Sequence, residues 1–132
     1  MDMKLEVIVL PVADVDRAKE FYADRFGFHL DVDHRTETFR VVQLTPPGSA
    51  CSVTLMHGDD PGRVHGLHLM VTDVEAARAE LVGRGVEVSE PFHFGEHGQT
   101  PGPDPERREF ATFATFADPD GNSWMLQERK LA

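Results

Sequence analysis

Leu5-Glu6-Val7-Ile8-Val9-Leu10-Pro11-Val12-Ala13-Asp14-Val15 is answered in mid-chain by Val64-His65-Gly66-Leu67-His68-Leu69-Met70-Val71-Thr72-Asp73-Val74, with Val12 matching Val71 and Asp14 matching Asp73. Each stretch runs on into an Ala-containing amphipathic segment and a glycine, so one small module is used twice. Half of 132 residues is marginal as an independent fold, and the two copies are therefore expected to share a core in a single domain spanning 1–132. Module one is read as 4–57, the linker as 58–63 and module two as 64–129.

Within the first copy, Ile8, Leu10 and Val12 share one face of a strand and Val7, Val9 and Pro11 the other, the period of two that a strand requires. Asp14 stands where an N-cap belongs, and Val15, Ala18, Phe21, Tyr22, Arg25 and Phe26 follow at helical spacing up to Gly27. Leu30 and Val32 begin a second strand, 39–45 a third and 51–57 a fourth. The second copy repeats the order: strand 64–71, helix 73–82, then strands at 86–90, 110–117 and 123–128. Asp118-Pro119-Asp120-Gly121 has the proline and glycine positions of a type I turn. One stretch breaks the symmetry: Gly95 to Glu109, rich in Pro, Gly and charge, is too long for a hairpin loop and reads as a flap or a mobile loop.

Thirteen Lys and Arg against 23 Asp and Glu give a net charge of −10, which disfavours nucleic acid and anionic membrane surfaces as partners. A single cysteine, Cys51, leaves no internal disulfide, and no long apolar run or leader precedes the first strand; a cytoplasmic location is expected. Cys51 itself is expected to be a core thiol.

A duplicated βαβββ unit whose helices open at Val12-x-Asp14-Val15 and Val71-x-Asp73-Val74, with Phe21-Tyr22 in the first helix and Asp118-Pro119-Asp120-Gly121-Asn122 before the last strand, resembles the vicinal oxygen chelate superfamily. That group includes glyoxalase I, extradiol dioxygenases, fosfomycin-resistance enzymes, methylmalonyl-CoA epimerase and bleomycin-resistance proteins. The resemblance implies an α+β fold of two tandem modules whose curved mixed sheets enclose a cleft. It also implies a homodimer, because modules of two chains often complete each other's cleft in similar proteins. The metal ligands of its enzymes would map onto Val7, Thr54, Gly66 and Met125, where Val, Gly and a thioether offer nothing to a hard divalent ion. No metal and no cofactor are expected, which argues against the usual glyoxalase, dioxygenase and epimerase chemistries.

Strand alternation then places Val7, Val9, Thr54, Met56, Gly66, His68, Met70, Met125 and Gln127 on the cleft walls, with Phe113 available for stacking. Such a cleft is mainly apolar with a few polar handles, the usual make-up of a small-molecule site. His68 is either a general acid/base or a partly buried imidazole bonded to a neighbour, while Phe110, Phe116, Tyr22 and Trp124 read as core. The expected work is sequestration of a cationic or aromatic organic ligand, in the manner of bleomycin-resistance proteins. The alternative is a glyoxalase-like lyase or isomerase, metal-free or with a relocated metal, using His68 as acid/base. A catalytically silent interaction partner is the third possibility, favoured by a cavity filled with its own side chains.

Overall fold

A computed structural model describes residues 1–130. Strand β1 (Val7–Val12) leads into helix α1 (Val15–Lys19), followed by β2 (His29–Arg35), β3 (Arg40–Thr45) and β4 (Ser52–His57). The second copy runs β5 (Leu67–Val71), α2 (Val74–Gly83), β6 (Phe92–Gly95), β7 (Gly98–Pro101), β8 (Thr112–Ala117) and β9 (Ser123–Glu128). Both helices begin as the repeat requires. The Asp14 carboxylate accepts from the Arg17 N–H at 3.1 Å, and Asp73 accepts from the Ala76 N–H at 3.1 Å.

The two sheets share a plan. Sheet one has the order β1-β4-β3-β2 and sheet two β5-β9-β8-β6-β7, so the second is the first with one further edge strand. In each, the outer pair (β1 with β4, β5 with β9) is parallel and the remaining pairs are antiparallel, the mixed sheets of an α+β protein. The described chain divides into two units: residues 1–64 with Asp118–Asn122, and His65–Ala117 with the chain from Ser123 onward. In the first unit Leu10, Val12, Val42, Leu44 and Leu55 are fully buried with Ala18 and Tyr22 of the helical segment. In the second, Val74 and Leu81 of α2 are buried along with Ala114, Phe116, Trp124 and Leu126 of the sheet, the Phe116 and Trp124 rings stacking 6.1 Å apart. Among the described residues no helix is long and apolar enough to cross a membrane.

Four expectations are corrected. No strand forms at 86–90: Val86 and Val88 are buried, but the carbonyls of Val88 and Ser89 are taken by the Arg78 guanidinium, and only Ser89 reaches β8, through its N–H to the Thr115 carbonyl at 2.9 Å. Backbone groups spent on a side chain cannot extend a ladder. The first helix does not run regularly to Phe26; after Lys19 it widens into a π-helical segment, Glu20–Arg25, closed by Phe26 N–H to Phe21 O at 2.8 Å. That segment carries the Phe21, Tyr22 and Phe26 rings, which pack on one another and on Phe28. The Gly95–Glu109 stretch is partly regular, since Gly98–Pro101 pairs back on β6 as a hairpin. Finally, Phe110 is neither strand nor core: it is 44% exposed with φ at +65°. Tyr22 is core as expected, and its hydroxyl is buried with it, donating to Asp118 at 2.7 Å.

Candidate functional site

Alternation along the strands gives sheet two a face turned away from Leu67, Leu69, Trp124 and Leu126, and register assembles it row by row. His68 stands beside Met125, and Met125 beside Thr115; Met70 stands beside Gln127, Gln127 beside Phe113, and Phe113 beside Phe92. Of the residues anticipated for a ligand, His68, Met70, Phe113, Met125 and Gln127 thus share one surface.

The β6–β7 hairpin turns this surface into a pocket. Phe92 and Phe94 come from β6, Gln99 and Pro101 from β7, Thr115 and Met125 from the sheet floor, and Ser89 with Glu90 and Pro91 from the segment before β6; together they bound an open cavity of about 470 Å³. Its aromatic wall is built in two orientations. Phe92 stacks on Phe113 at 5.7 Å, and Phe94 meets Phe113 edge-on at 5.4 Å, leaving the Phe94 ring 57% exposed. Phe92, Phe94, Gln99 and Pro101 were not anticipated from sequence, although the alternation Phe92-His93-Phe94 between Pro91 and Gly95 is a strand signal.

Beside the pocket, polar groups hold His68 in one orientation. Gln127 donates its amide N–H to the Phe110 carbonyl at 3.0 Å, which turns its oxygen to His68 Nδ1 at 2.8 Å. An amide oxygen can only accept, so Nδ1 carries the proton and Nε2 is left as an acceptor in the neutral ring. Phe110 is itself fixed by its N–H to the Glu128 carbonyl at 2.7 Å and by the Arg129 guanidinium 5.3 Å above its ring. The segment leading to it is anchored at Asp104, whose buried carboxylate receives the Arg108 guanidinium at 2.7 Å and 3.1 Å, while the Asp104 N–H donates to Thr112 Oγ1. The Arg108 hydrogen bonds hold the Asp104 carboxyl well below the usual carboxylate range. Arg107 reaches Glu75 and Glu128, and Glu128 in turn accepts the Val74 N–H at the start of α2.

The remaining anticipated residues belong to sheet one or to its counterpart's entry. Val7 and Val9 are about half exposed and stand beside Ser52 and Thr54 of β4, both buried; Met56, beside Pro11, is partly buried. On the same face Gln43 is the register partner of Thr54, and Ser52 donates to Thr45, which gives its only hydroxyl proton to Asp31. The hydroxyl of Thr45, with His29 second, lowers the Asp31 pKa. Gly66 precedes β5 with φ at +78° and contributes only backbone, its N–H donating to Ser123 Oγ at 3.1 Å.

At the four positions onto which the resemblance maps the superfamily's metal ligands stand an aliphatic side chain, a hydroxyl, a glycine and a thioether, a donor set that does not fit a hard divalent ion. Among the described residues no group of three or more His, Cys, Asp or Glu side chains is placed to hold an ion elsewhere.

Comparison with known proteins places this geometry in a family. The family model described as Glyoxalase/Bleomycin resistance protein/Dioxygenase superfamily matches residues 4–126. No curated protein matches the chain. Among solved structures, the antibiotic binding protein TnmS3 from Streptomyces sp. CB03234 is 32% identical with a TM-score of 0.76, over 96% of each chain. A glyoxalase/bleomycin resistance protein from the same Streptomyces strain is also 32% identical, with a TM-score of 0.73 over 95% of this chain and all of that one. A superfamily member from Sphaerobacter thermophilus DSM 20745 is 27% identical, with a TM-score of 0.74 over 97% and 98% of the two chains. The chain belongs to the Glyoxalase/Bleomycin resistance protein/Dioxygenase superfamily.

Proposed function

We propose that the protein binds and sequesters a small, flat, aromatic organic molecule in the pocket of the second unit, without metal and without chemical conversion. The observation that carries this reading is the exposed Phe94 ring set edge-on to Phe113 over a cavity of about 470 Å³, a volume within the range of small-molecule sites. Apolar side chains supply most of the lining, and Gln99, Thr115 and Ser89 supply hydrogen bonds. Similarity to a protein described as antibiotic binding supports the same reading. The net charge of −10 favours a ligand that is neutral or cationic over an anionic one.

Sequestration is preferred to the His68 acid/base reading because the His68 ring nitrogen is partnered by a neutral amide and not by a second titratable group. The titratable side chain lining the pocket, Glu90, is paired with Arg78 at 3.1 Å.

The test uses 1-methoxynaphthalene as probe in a titration followed by amide NMR shifts. Shifts should centre on Phe92, Phe94 and Thr115. Phe94→Ala should weaken binding about tenfold, the worth of one aromatic contact of about 1.4 kcal/mol, with little change in melting temperature because the ring is more than half exposed. Equal affinity in the variant rejects the site. A native mass spectrum of protein purified without chelator or affinity tag should show a homodimer with no metal adduct. We base the dimer on the half-exposed Val7, Val9 and Val32, whose apolar area a second copy would cover. One Ni, Zn, Fe or Mn per chain overturns metal independence, and a monomer overturns the dimer.

A further inference from the structure

The polar chain His68–Gln127–Phe110 ends in an acceptor on the sheet face that carries the pocket floor, which bears on which aromatic molecules are held. His68 is the register neighbour of Met125, and Met125 the register neighbour of Thr115, both pocket residues. Adjacent strands run about 4.8 Å apart, so the imidazole stands about 5 Å from the Met125 position and about 10 Å from that of Thr115, on the same face. A two-ring molecule lying on the pocket floor over Thr115 and Met125 therefore brings one end to the His68 position.

What it meets there is set by Phe110. This residue is not glycine, yet it holds φ at +65°, a conformation that costs a residue with a Cβ on the order of 1 kcal/mol and persists only where its surroundings impose it. Those surroundings are visible: the N–H is held by the Glu128 carbonyl and the ring by Arg129. The backbone so fixed aims the Phe110 carbonyl at Gln127, which fixes the amide, which holds the proton on His68 Nδ1. We infer that His68 is a ligand-binding residue locked as a hydrogen-bond acceptor through Nε2, that Gln127 and Phe110 are its positioning residues, and that the protein selects aromatic ligands bearing a hydroxyl or N–H donor at the end that reaches His68. The inference rests on the aromatic reading of the pocket and goes beyond it in assigning the donor.

Two measurements test it. The first needs no ligand: nitrogen-detected NMR of the imidazole at about pH 8.5, above the ordinary range of histidine titration. His68 should be the Nδ1–H tautomer, the form less favoured by a free histidine side chain, and Gln127→Met, which keeps length and removes the acceptor, should return it to Nε2–H. Finding Nε2–H in the unaltered protein overturns the inference. The second compares 1-naphthol with 1-methoxynaphthalene, which differ in the donor. The unaltered protein should prefer 1-naphthol five- to tenfold, the worth of a hydrogen bond of about 1 kcal/mol, and Gln127→Met should reduce the preference below twofold while retaining affinity for the ether. Equal binding of the two probes, with Phe94→Ala still weakening both, overturns the donor assignment and leaves the aromatic pocket standing. Binding of neither probe overturns the aromatic pocket, and the donor assignment with it.

Discussion

Asp118→Ala is expected to cost about 4 kcal/mol of stability and roughly 15 °C of melting temperature, the largest effect of any single truncation outside the apolar core. The carboxylate is 5% exposed and accepts four hydrogen bonds: from the Tyr22 hydroxyl and the Asn122 side-chain amide, both at 2.7 Å, and from the backbone N–H groups of Asp120 and Asn122, both at 2.9 Å. Alanine removes the acceptor from all four donors at once, two of them on side chains with no measurable exposure, Tyr22 and Asn122. Donors stripped of a buried charged acceptor lose more than the mean worth of a hydrogen bond. Tyr22→Phe takes away one of those donors cleanly and should cost only about 1 kcal/mol alone. In the Asp118→Ala background it should cost less still, because the bond is already gone. Urea unfolding of the four proteins supplies the cycle; a loss below about 1.5 kcal/mol for Asp118→Ala would show that the network contributes little.

Gly62→Ala should be nearly as damaging, for a different reason. Gly62 has φ at +80°, and a Cβ placed on it would lie 2.1 Å from the Asp120 carbonyl oxygen, a backbone atom that no rotamer change can move aside. Gly48 provides the control, since its φ is +79° and a Cβ there would meet nothing within 4 Å. Gly48→Ala should therefore cost only the left-handed backbone penalty of about 1–2 kcal/mol. Gly62→Ala adds displacement of the Asp118–Asn122 turn and should exceed 3 kcal/mol. Equal denaturation midpoints for the two variants would mean that the turn yields without cost.

How far these arrangements could be read in advance depends on how local their causes are. The doubled strand-and-helix opening was legible because Asp14 and Asp73 cap their own helices within three residues, and strand alternation decides faces without help from elsewhere. The same alternation placed His68, Met70, Phe113, Met125 and Gln127 on one surface. What escaped was decided by distant partners. Val86 to Glu90 has the composition of a strand, but Arg78, in α2, claims the carbonyls of Val88 and Ser89. Phe110 reads as the first residue of β8 until Glu128, Gln127 and Arg129 hold it in a left-handed bend. The Phe94 wall was missed because β7, which completes it, has the Gly98-Gln99-Thr100-Pro101 composition of a loop and exists as a strand only through its pairing with β6. Where Gly66 and Met125 stand, substitution of the superfamily's ligand types was readable from residue identity alone.

The five residues Asp118–Asn122 link β8 to β9 of sheet two, yet they belong to the first unit, where Asn122 accepts the Val64 N–H, donates to the Pro11 carbonyl and shares Asp118 with Tyr22. The first copy is therefore completed by a segment of the second. A gene cut at the boundary between the copies would yield a leading half lacking the segment that satisfies Tyr22, and a trailing half carrying that segment with nothing to receive it.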